Sequence, residues 1–112
     1  MKKVKITVIK KDFHEELAKE YGVEGVSPCP CMNVGDVFYA GSTRPEGLCD
    51  GAWRSIHQYV FALANGSKQF WFNDWIRKPG TAISCCNDGL RPVYFLLEAT
   101  DEEVESPFKK HE

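Results

Sequence analysis

The chain has 112 residues, of which 43% are hydrophobic, 12% aromatic and 27% charged. This length suits one domain and excludes a multidomain enzyme, and the composition excludes a disordered or collagen-like chain. The formal net charge of −2 lacks the excess of basic residues that general nucleic-acid binders carry, so we expect no nucleic-acid partner. No apolar run approaches the roughly 18 residues of a membrane span, so we expect no membrane segment and a cytoplasmic protein.

The amino-terminal part of the chain predicts a strand followed by a helix. Over residues 3–10, valine and isoleucine alternate with lysine and threonine, which is the pattern of a half-buried strand. The lysines crowded here are interpreted as charges on an exposed edge strand that prevent edge-to-edge pairing. Phe13, Leu17 and Tyr21 then recur at four-residue spacing, which predicts a helix that Gly22 ends.

The middle of the chain predicts a short strand at Val37–Ala40 and a long second helix. Asp50 is a good cap for this helix, and Asn65-Gly66 supplies a left-handed stop. Its apolar face has residues at helical spacing: Trp53, Ile56, Val60 and Leu63. The aromatic-rich residues 70–76 fit either a short helix or an irregular cover.

The last third of the chain predicts a hairpin. Residues 81–86 and 92–98 form its strands, joined across Asn87-Asp88-Gly89, because these residue types tolerate positive dihedral angles. We therefore predict one cysteine-rich α+β domain over residues 1–100, with a small mixed or antiparallel sheet of about four strands packed with two main helices. Residues 101–112 lose the hydrophobic periodicity and are predicted to be a solvated tail.

The five cysteines all lie at the ends of predicted elements. Metal ligands and reactive thiols gather on loops that a rigid scaffold brings together, so this distribution favours a shared site. An odd number of cysteines in a reducing cytoplasm does not suit a disulfide framework. Cys49 immediately precedes a helix, where free backbone N–H groups and the helix dipole stabilise a thiolate.

Thiolate binding of a metal is the leading functional hypothesis. Four sulfurs suit an iron-sulfur cluster or another thiophilic metal. The proposed metal ligands are Cys29, Cys49, Cys85 and Cys86, with Cys31 as an alternative to Cys29. Successive side chains on a strand point to opposite faces, so both members of the double cysteine reach one centre only if the strand ends or bulges there. We expect at least one of them to converge with Cys29 and Cys49.

Two other classes of function stay open. One is a thiol-dependent oxidoreductase or cysteine-nucleophile enzyme that acts on a small molecule. The other is an interaction module whose cysteines are inert. Asp88 and Arg91 flank the turn beside the double cysteine, where they serve either the turn itself or the binding of an anionic ligand or cofactor and the tuning of the thiols.

The aromatic residues exceed what one small core readily buries. They either cover the cysteine site or form a subunit interface, and we expect a homo-oligomer, most simply a homodimer. The residues in question are Trp53, Phe70, Trp71, Phe72 and Trp75.

Several short runs of residues are distinctive enough to compare with known families. They are Val4-Lys5-Ile6-Thr7-Val8, Leu17-Ala18-Lys19-Glu20-Tyr21, Cys29-Pro30, Pro45-Glu46-Gly47-Leu48-Cys49, Ala52-Trp53, Gly80-Thr81-Ala82-Ile83 and Cys85-Cys86-Asn87-Asp88-Gly89-Leu90-Arg91-Pro92-Val93. On these runs, nearly the whole chain resembles a family of small uncharacterised proteins, found largely in anaerobic bacteria and archaea, with a Cys-Cys-x-Asp-Gly-x-Arg-Pro-Val signature. The resemblance implies that all the proposed metal ligands occupy signature positions, that Cys31 is extra, and that the tail extends beyond the usual family end.

Overall fold

The computed structural model describes residues 1–105, which form one four-stranded antiparallel sheet and two α-helices. The elements in chain order are β1 (Lys2–Lys11), α1 (Glu15–Tyr21), β2 (Val37–Ala40), α2 (Asp50–Ala64), β3 (Thr81–Cys85) and β4 (Val93–Glu103). The strands lie in the order β2-β1-β4-β3. The predicted α+β class is confirmed. Neither helix of this part of the chain combines the length and the hydropathy needed to cross a bilayer.

The core lies between α2 and one face of the sheet. The sheet contributes side chains from alternate strand positions: Val4, Ile6, Val8, Val93, Phe95 and Leu97. The helix contributes side chains at helical spacing: Ala52, Ile56, Val60 and Leu63. Complete burial of each large side chain contributes about 1.5–3 kcal/mol, so this contact dominates the placement of α2. The apolar faces predicted for β1 and α2 are confirmed, and the strand predicted at residues 92–98 lies within β4.

β1 is a central strand, so the interpretation of its lysines as edge-strand charges is wrong. It pairs with β2 on one side and with β4 on the other. The Nζ atom of Lys2 lies 2.9 Å from Oε1 of Glu103. Lys3 and Glu102 form a second pair, with 3.2 Å between Nζ and Oε2. The acidic end of β4 thus partly neutralises the basic amino terminus.

β4 continues beyond the point where the hydrophobic pattern ends. The prediction of a tail from residue 101 is therefore wrong for residues 101–103, which belong to the strand. The hydroxyl of Thr100 donates a hydrogen bond to the carbonyl oxygen of Lys3 at 2.6 Å, which holds this end of β4 on β1. The side chains here are exposed because the strand has passed the edge of the core. Residues 106–112 of the predicted tail lie outside the described residues.

The aromatic segment, residues 70–76, is an irregular structure beside the second half of α2. Trp71–Asn73 form one short turn with φ values of 51°, 64° and 69°. Left-handed backbone costs a non-glycine residue roughly 1 kcal/mol, so this turn is strained. The ring of Tyr59 packs against those of Phe70 and Trp75, with centroids 5.3 and 6.1 Å apart.

The aromatic segment does not cover the cysteines. Tyr59, which it contacts, is ten residues along the chain from Cys49, and ten helical residues span about 15 Å. Phe72 is 96% exposed and Trp71 is 60% exposed. These two side chains therefore present a large apolar surface to solvent.

Candidate functional site

The cysteine loops are held in place by buried neighbours in the chain. Cys31 directly precedes Met32, which is 3% exposed, and Cys49 directly follows Leu48, which is 1% exposed. Arg91 is likewise followed by a buried residue, Pro92. A close-packed neighbour fixes the backbone on that side, so the core positions each of these functional groups.

Cys29, Cys31 and Cys49 come together from two loops. The negative charge of Cys29 is the main cause that raises the pKa of the Cys31 thiol, followed by partial desolvation and, more weakly, by the charge of Cys49. The guanidinium of Arg91, which comes from a third loop, lowers the same pKa. We call these four residues the thiol cluster. Cys31 and Cys49 are exposed, and Cys29 is half-buried.

Cys49 occupies the amino terminus of α2. It is the residue that caps the helix, and its carbonyl oxygen accepts the N–H of Trp53 at 3.0 Å. Asp50, which we expected to be the cap, is the first helical residue instead. Arg44 clamps this terminus, because its Nη1 donates to the carbonyl oxygen of Leu48 at 2.6 Å and its Nε lies 3.1 Å from Oδ1 of Asp50.

Cys85 and Cys86 point to opposite faces of the sheet. Cys86 packs against the core on the side of α2, and its Sγ accepts the N–H of Val93 at 3.3 Å. Cys85 is the cross-strand partner of Tyr94 on the outer face. Burial raises the pKa of Cys85, and the charge of Cys86 adds to this effect. Cys86 is therefore the member of the pair that shares a face with Cys29.

Asp88 holds both the turn between β3 and β4 and the side chain of Arg91. Its Oδ1 accepts the backbone N–H groups of Leu90 and Arg91, each at 2.9 Å, and its Oδ2 accepts Nε–H of Arg91 at 2.9 Å. The positive dihedral angles expected for Asn87-Asp88-Gly89 do not occur, because the carboxylate organises the turn in their place.

The electrostatics of Asp88 and Arg91 follow from these bonds. Burial works to raise the pKa of Asp88, but the hydrogen bonds from the backbone of Arg91 and Leu90 and from the guanidinium hold it below its ordinary value. The hydrogen bond and the charge of Asp88 raise the pKa of Arg91, and the charges of Cys29 and Cys31 raise it further. Asp88 and Arg91, predicted as ligand-binding residues, thus form an ion pair beside the thiols.

Gly51 is a site residue that the sequence reasoning missed. A Cβ atom at this position would lie 2.9 Å from Oδ1 of Asn87, so the absence of a side chain lets the turn approach the start of α2. This approach makes the loop that carries Arg91 a neighbour of the helix end that carries Cys49. In the sequence, the glycine inside the first turn of α2 was a signal for this close approach.

The predicted metal ligands do not form a ready coordination sphere. Within residues 1–105, no three histidine, cysteine, aspartate or glutamate side chains are arranged so that they could hold a metal ion. Of the proposed ligands, Cys29 and Cys49 belong to the thiol cluster, Cys86 packs on the same side of the sheet as Cys29, and Cys85 lies on the other face.

A cleft of about 510 Å³ lies elsewhere, between α1 and the loop that follows it. Phe13, Ala18, Lys19 and Val26 are among its lining residues, and it is lined by no cysteine. The cleft therefore has no direct link to the thiol cluster.

Comparisons of the chain with protein-family models, with curated proteins and with solved structures found no match. The resemblance to the family with the double-cysteine signature therefore stays a prediction. Cys31 is not a signature position of that family, but it belongs to the thiol cluster. The structure and the resemblance therefore point to different sets of cysteines.

Proposed function

We propose that the protein is a thiol-disulfide redox protein that uses Cys29 and Cys31 as a reversible dithiol pair. The observation that carries the proposal is the closeness of the two thiols, which is such that the charge of Cys29 acts on Cys31, in a loop whose backbone is held by buried Met32. This is the thiol oxidoreductase class considered from the sequence, now attached to two particular residues.

The spacing of the pair suits a disulfide. Two residues of extended chain span at most about 7 Å, which overlaps the Cα separation of about 4.4–6.8 Å found in disulfides. The proline between the cysteines fixes one φ angle and reduces the conformations open to the loop. A disulfide here would close a very small ring, so its effect on overall stability is small and its role is chemical.

The raised pKa of Cys31 suggests a role for each thiol. The negative charge of Cys29 is the main cause that raises the pKa of Cys31, so Cys31 holds its proton more tightly than an ordinary cysteine. A thiolate, and not a thiol, attacks a disulfide. We therefore assign the attack to Cys29 and the resolution of the intermediate to Cys31.

The reaction balances with a low-molecular-weight disulfide as the oxidant. The Cys29 thiolate attacks one of its sulfur atoms, forms a mixed disulfide and releases the first small thiolate. Cys31 then loses its proton and attacks the sulfur of Cys29, which forms the Cys29–Cys31 disulfide and releases the second small thiolate. Two thiols of the protein are oxidised and one disulfide is reduced to two thiols. In the cytoplasm, where we place the protein as part of this proposal, the reverse reaction regenerates the dithiol.

A redox titration tests the proposal. The protein is equilibrated in buffers of reduced and oxidised glutathione under nitrogen, and protein thiols are counted by alkylation and mass measurement. We expect one reversible two-electron transition that Cys29→Ser and Cys31→Ser each abolish. The matched control, Cys85→Ser, removes a thiol on the outer face and should keep the transition. A transition that survives both loop variants would contradict the proposal.

A second candidate function is binding of a thiophilic metal or an iron-sulfur cluster by the thiolates. It is favoured by the position of Cys49, whose charge acts on Cys31 together with that of Cys29. Binding would have to draw these thiolates together, with Cys86 as a fourth ligand. Anaerobic purification followed by metal analysis and a visible spectrum tests this candidate. A stoichiometric metal that is lost in both Cys49→Ser and Cys86→Ser would favour it over the redox pair.

We also propose that the chain forms a homodimer through the aromatic segment. The support is the exposure of Phe72 and Trp71 on a turn with a strained backbone, since large exposed aromatic side chains of this kind are enriched at protein interfaces. Sedimentation under reducing conditions tests this proposal, and a monomer at tens of micromolar would contradict it.

A further inference from the structure

We infer that Arg91 recognises an anionic group on the substrate of the Cys29–Cys31 pair, so that the substrates are low-molecular-weight disulfides that carry a carboxylate. The inference rests on the proposed function and adds to it the chemical class of the substrate. It gives Arg91 the role of a specificity-determining residue, while the two cysteines carry out the exchange.

The guanidinium is held in a defined orientation. Asp88 binds Nε of Arg91 with one carboxylate oxygen and two backbone N–H groups of the turn with the other. The loop is fixed on either side of Arg91 as well, because the carbonyl oxygens of Leu90 and Pro92 accept the backbone N–H groups of His14 and Asp12, each at 2.9 Å. A cation held in this way loses little further freedom when it binds a ligand.

The ligand-binding part of the guanidinium remains available. Arginine has five N–H donors, and Asp88 uses only the one on Nε. In the described part of the chain, the two terminal nitrogens of Arg91 make no hydrogen bond, and the side chain is 37% exposed. These terminal groups suit a bidentate contact with a carboxylate. Arg44, by comparison, is already engaged with the start of α2.

The position of this cation meets a requirement of the chemistry. Attack by the Cys29 thiolate places a negative charge at the reaction site, and this charge repels an anionic disulfide. Arg91 lies close enough to Cys29 and Cys31 that each acts on its ionisation. The cation therefore offsets the repulsion for an anionic substrate and opposes the approach of a cationic one.

The test compares two small disulfides of opposite charge. Reduced protein is mixed at low ionic strength with dithiodipropionate, which is anionic, or with cystamine, which is cationic, and the rate constant of oxidation is measured for each. The ratio of the two rate constants within one protein cancels any change in the fraction of thiolate. We expect the ratio of anionic to cationic rate constants to fall about fivefold in Arg91→Gln.

The matched control is Arg77→Gln, which removes the same charge from an exposed arginine just beyond the aromatic segment. It should keep the wild-type ratio, and Arg91→Lys should keep most of it because the charge remains. High salt should lower the wild-type ratio towards that of Arg91→Gln.

Two kinds of failure are distinguishable. A ratio that is the same in Arg91→Gln and wild type, or that falls equally in Arg77→Gln, would overturn the role of Arg91 while leaving the redox pair in place. If neither disulfide oxidises Cys29 and Cys31, the proposed function itself fails, and the inference fails with it.

Discussion

The two ends of α2 differ in how the molecule uses its side chains. At the amino-terminal end, thiols and an ion pair from separate loops meet, and each loop is held by hydrogen bonds or by a buried neighbour. At the carboxyl-terminal end, the aromatic segment packs on Tyr59 but leaves Phe72 almost fully exposed on a left-handed turn. One end brings thiols and a cation close together, and the other presents an apolar surface.

The cysteine loops and the aromatic segment are therefore separate features of the molecule. The sequence left open whether the aromatic residues cover the cysteine site, and for residues 70–76 the length of α2 between Cys49 and Tyr59 argues against it. Both features nevertheless depend on packing against the same helix.

The largest effect is expected from Ile56→Ala, in the buried middle of α2. Ile56 is completely buried, so the truncation should lower the free energy of unfolding by about 2–4 kcal/mol through lost burial and a cavity. Urea unfolding measures this change, and the exposed Arg54→Ala is the control. Both ends should loosen together, seen as faster alkylation of Cys31 and altered tryptophan fluorescence. Loosening at one end only would show that α2 does not link the two.

The second prediction isolates the aromatic end. Under reducing conditions the protein should sediment as a dimer at tens of micromolar, and Phe72→Ser should weaken association at least about tenfold, because an aromatic side chain at an interface often contributes about 2 kcal/mol. Tyr21→Ser, which removes a 74% exposed aromatic from α1, is the matched control and should remain a dimer. A wild-type monomer would contradict the proposed interface.

The third prediction isolates the ion pair at the cysteine end. Asp88→Asn should lower the free energy of unfolding by about 1 kcal/mol at pH 7, since the charged hydrogen bonds it weakens are partly exposed. Asp74→Asn removes the same charge from the aromatic segment and should change stability little.

The effect of Asp88 should also depend on pH. The folded protein holds the pKa of Asp88 below the value of about 3.9 for an unfolded chain, so its contribution is complete above that value and is lost as the pH falls through the lower, folded value. Unfolding curves for wild type and Asp88→Asn should therefore converge below about pH 4. A constant difference down to pH 2 would contradict this account.

The smallest effect concerns the thiols themselves. In Cys29→Ser, the pH midpoint for alkylation of Cys31 should fall, because the charge that contributes most to its raised pKa is removed. Cys86→Ser, which does not act on Cys31, should leave the midpoint in place. An unchanged midpoint in Cys29→Ser would show that the two thiols do not interact.

The sequence predicted the elements that obey a simple periodicity. The alternation in β1 and β4 and the helical spacing in α2 identified the core faces correctly, because burial imposes those periods directly. The pattern did not predict that β1 is central or that β4 reaches Glu103, since neither depends on the core. Both follow from strand pairing between the chain ends, which hydrophobic periodicity does not report.

The sequence drew attention to the cysteine loops, but it did not predict how their side chains are arranged. The loop positions of Cys29 and Cys49 pointed to a shared site, and both belong to the thiol cluster. The sequence could not show that Cys85 faces away, because this depends on the residue at which β3 ends. It named Cys31 only as an alternative to Cys29, because the burial of Met32, which holds this loop, is not visible in the sequence.

A map of the disulfide that forms first tests whether Cys29 and Cys31 are the redox pair. Reduced protein is treated with one equivalent of oxidised glutathione, quenched in acid, alkylated and digested, and the peptides are analysed by tandem mass spectrometry. We expect the peptide containing Cys29 and Cys31 to be recovered two hydrogens lighter and unalkylated, while Cys85 and Cys86 are alkylated. Recovery of Cys29 and Cys31 as alkylated thiols, with the disulfide formed between other cysteines, would contradict it.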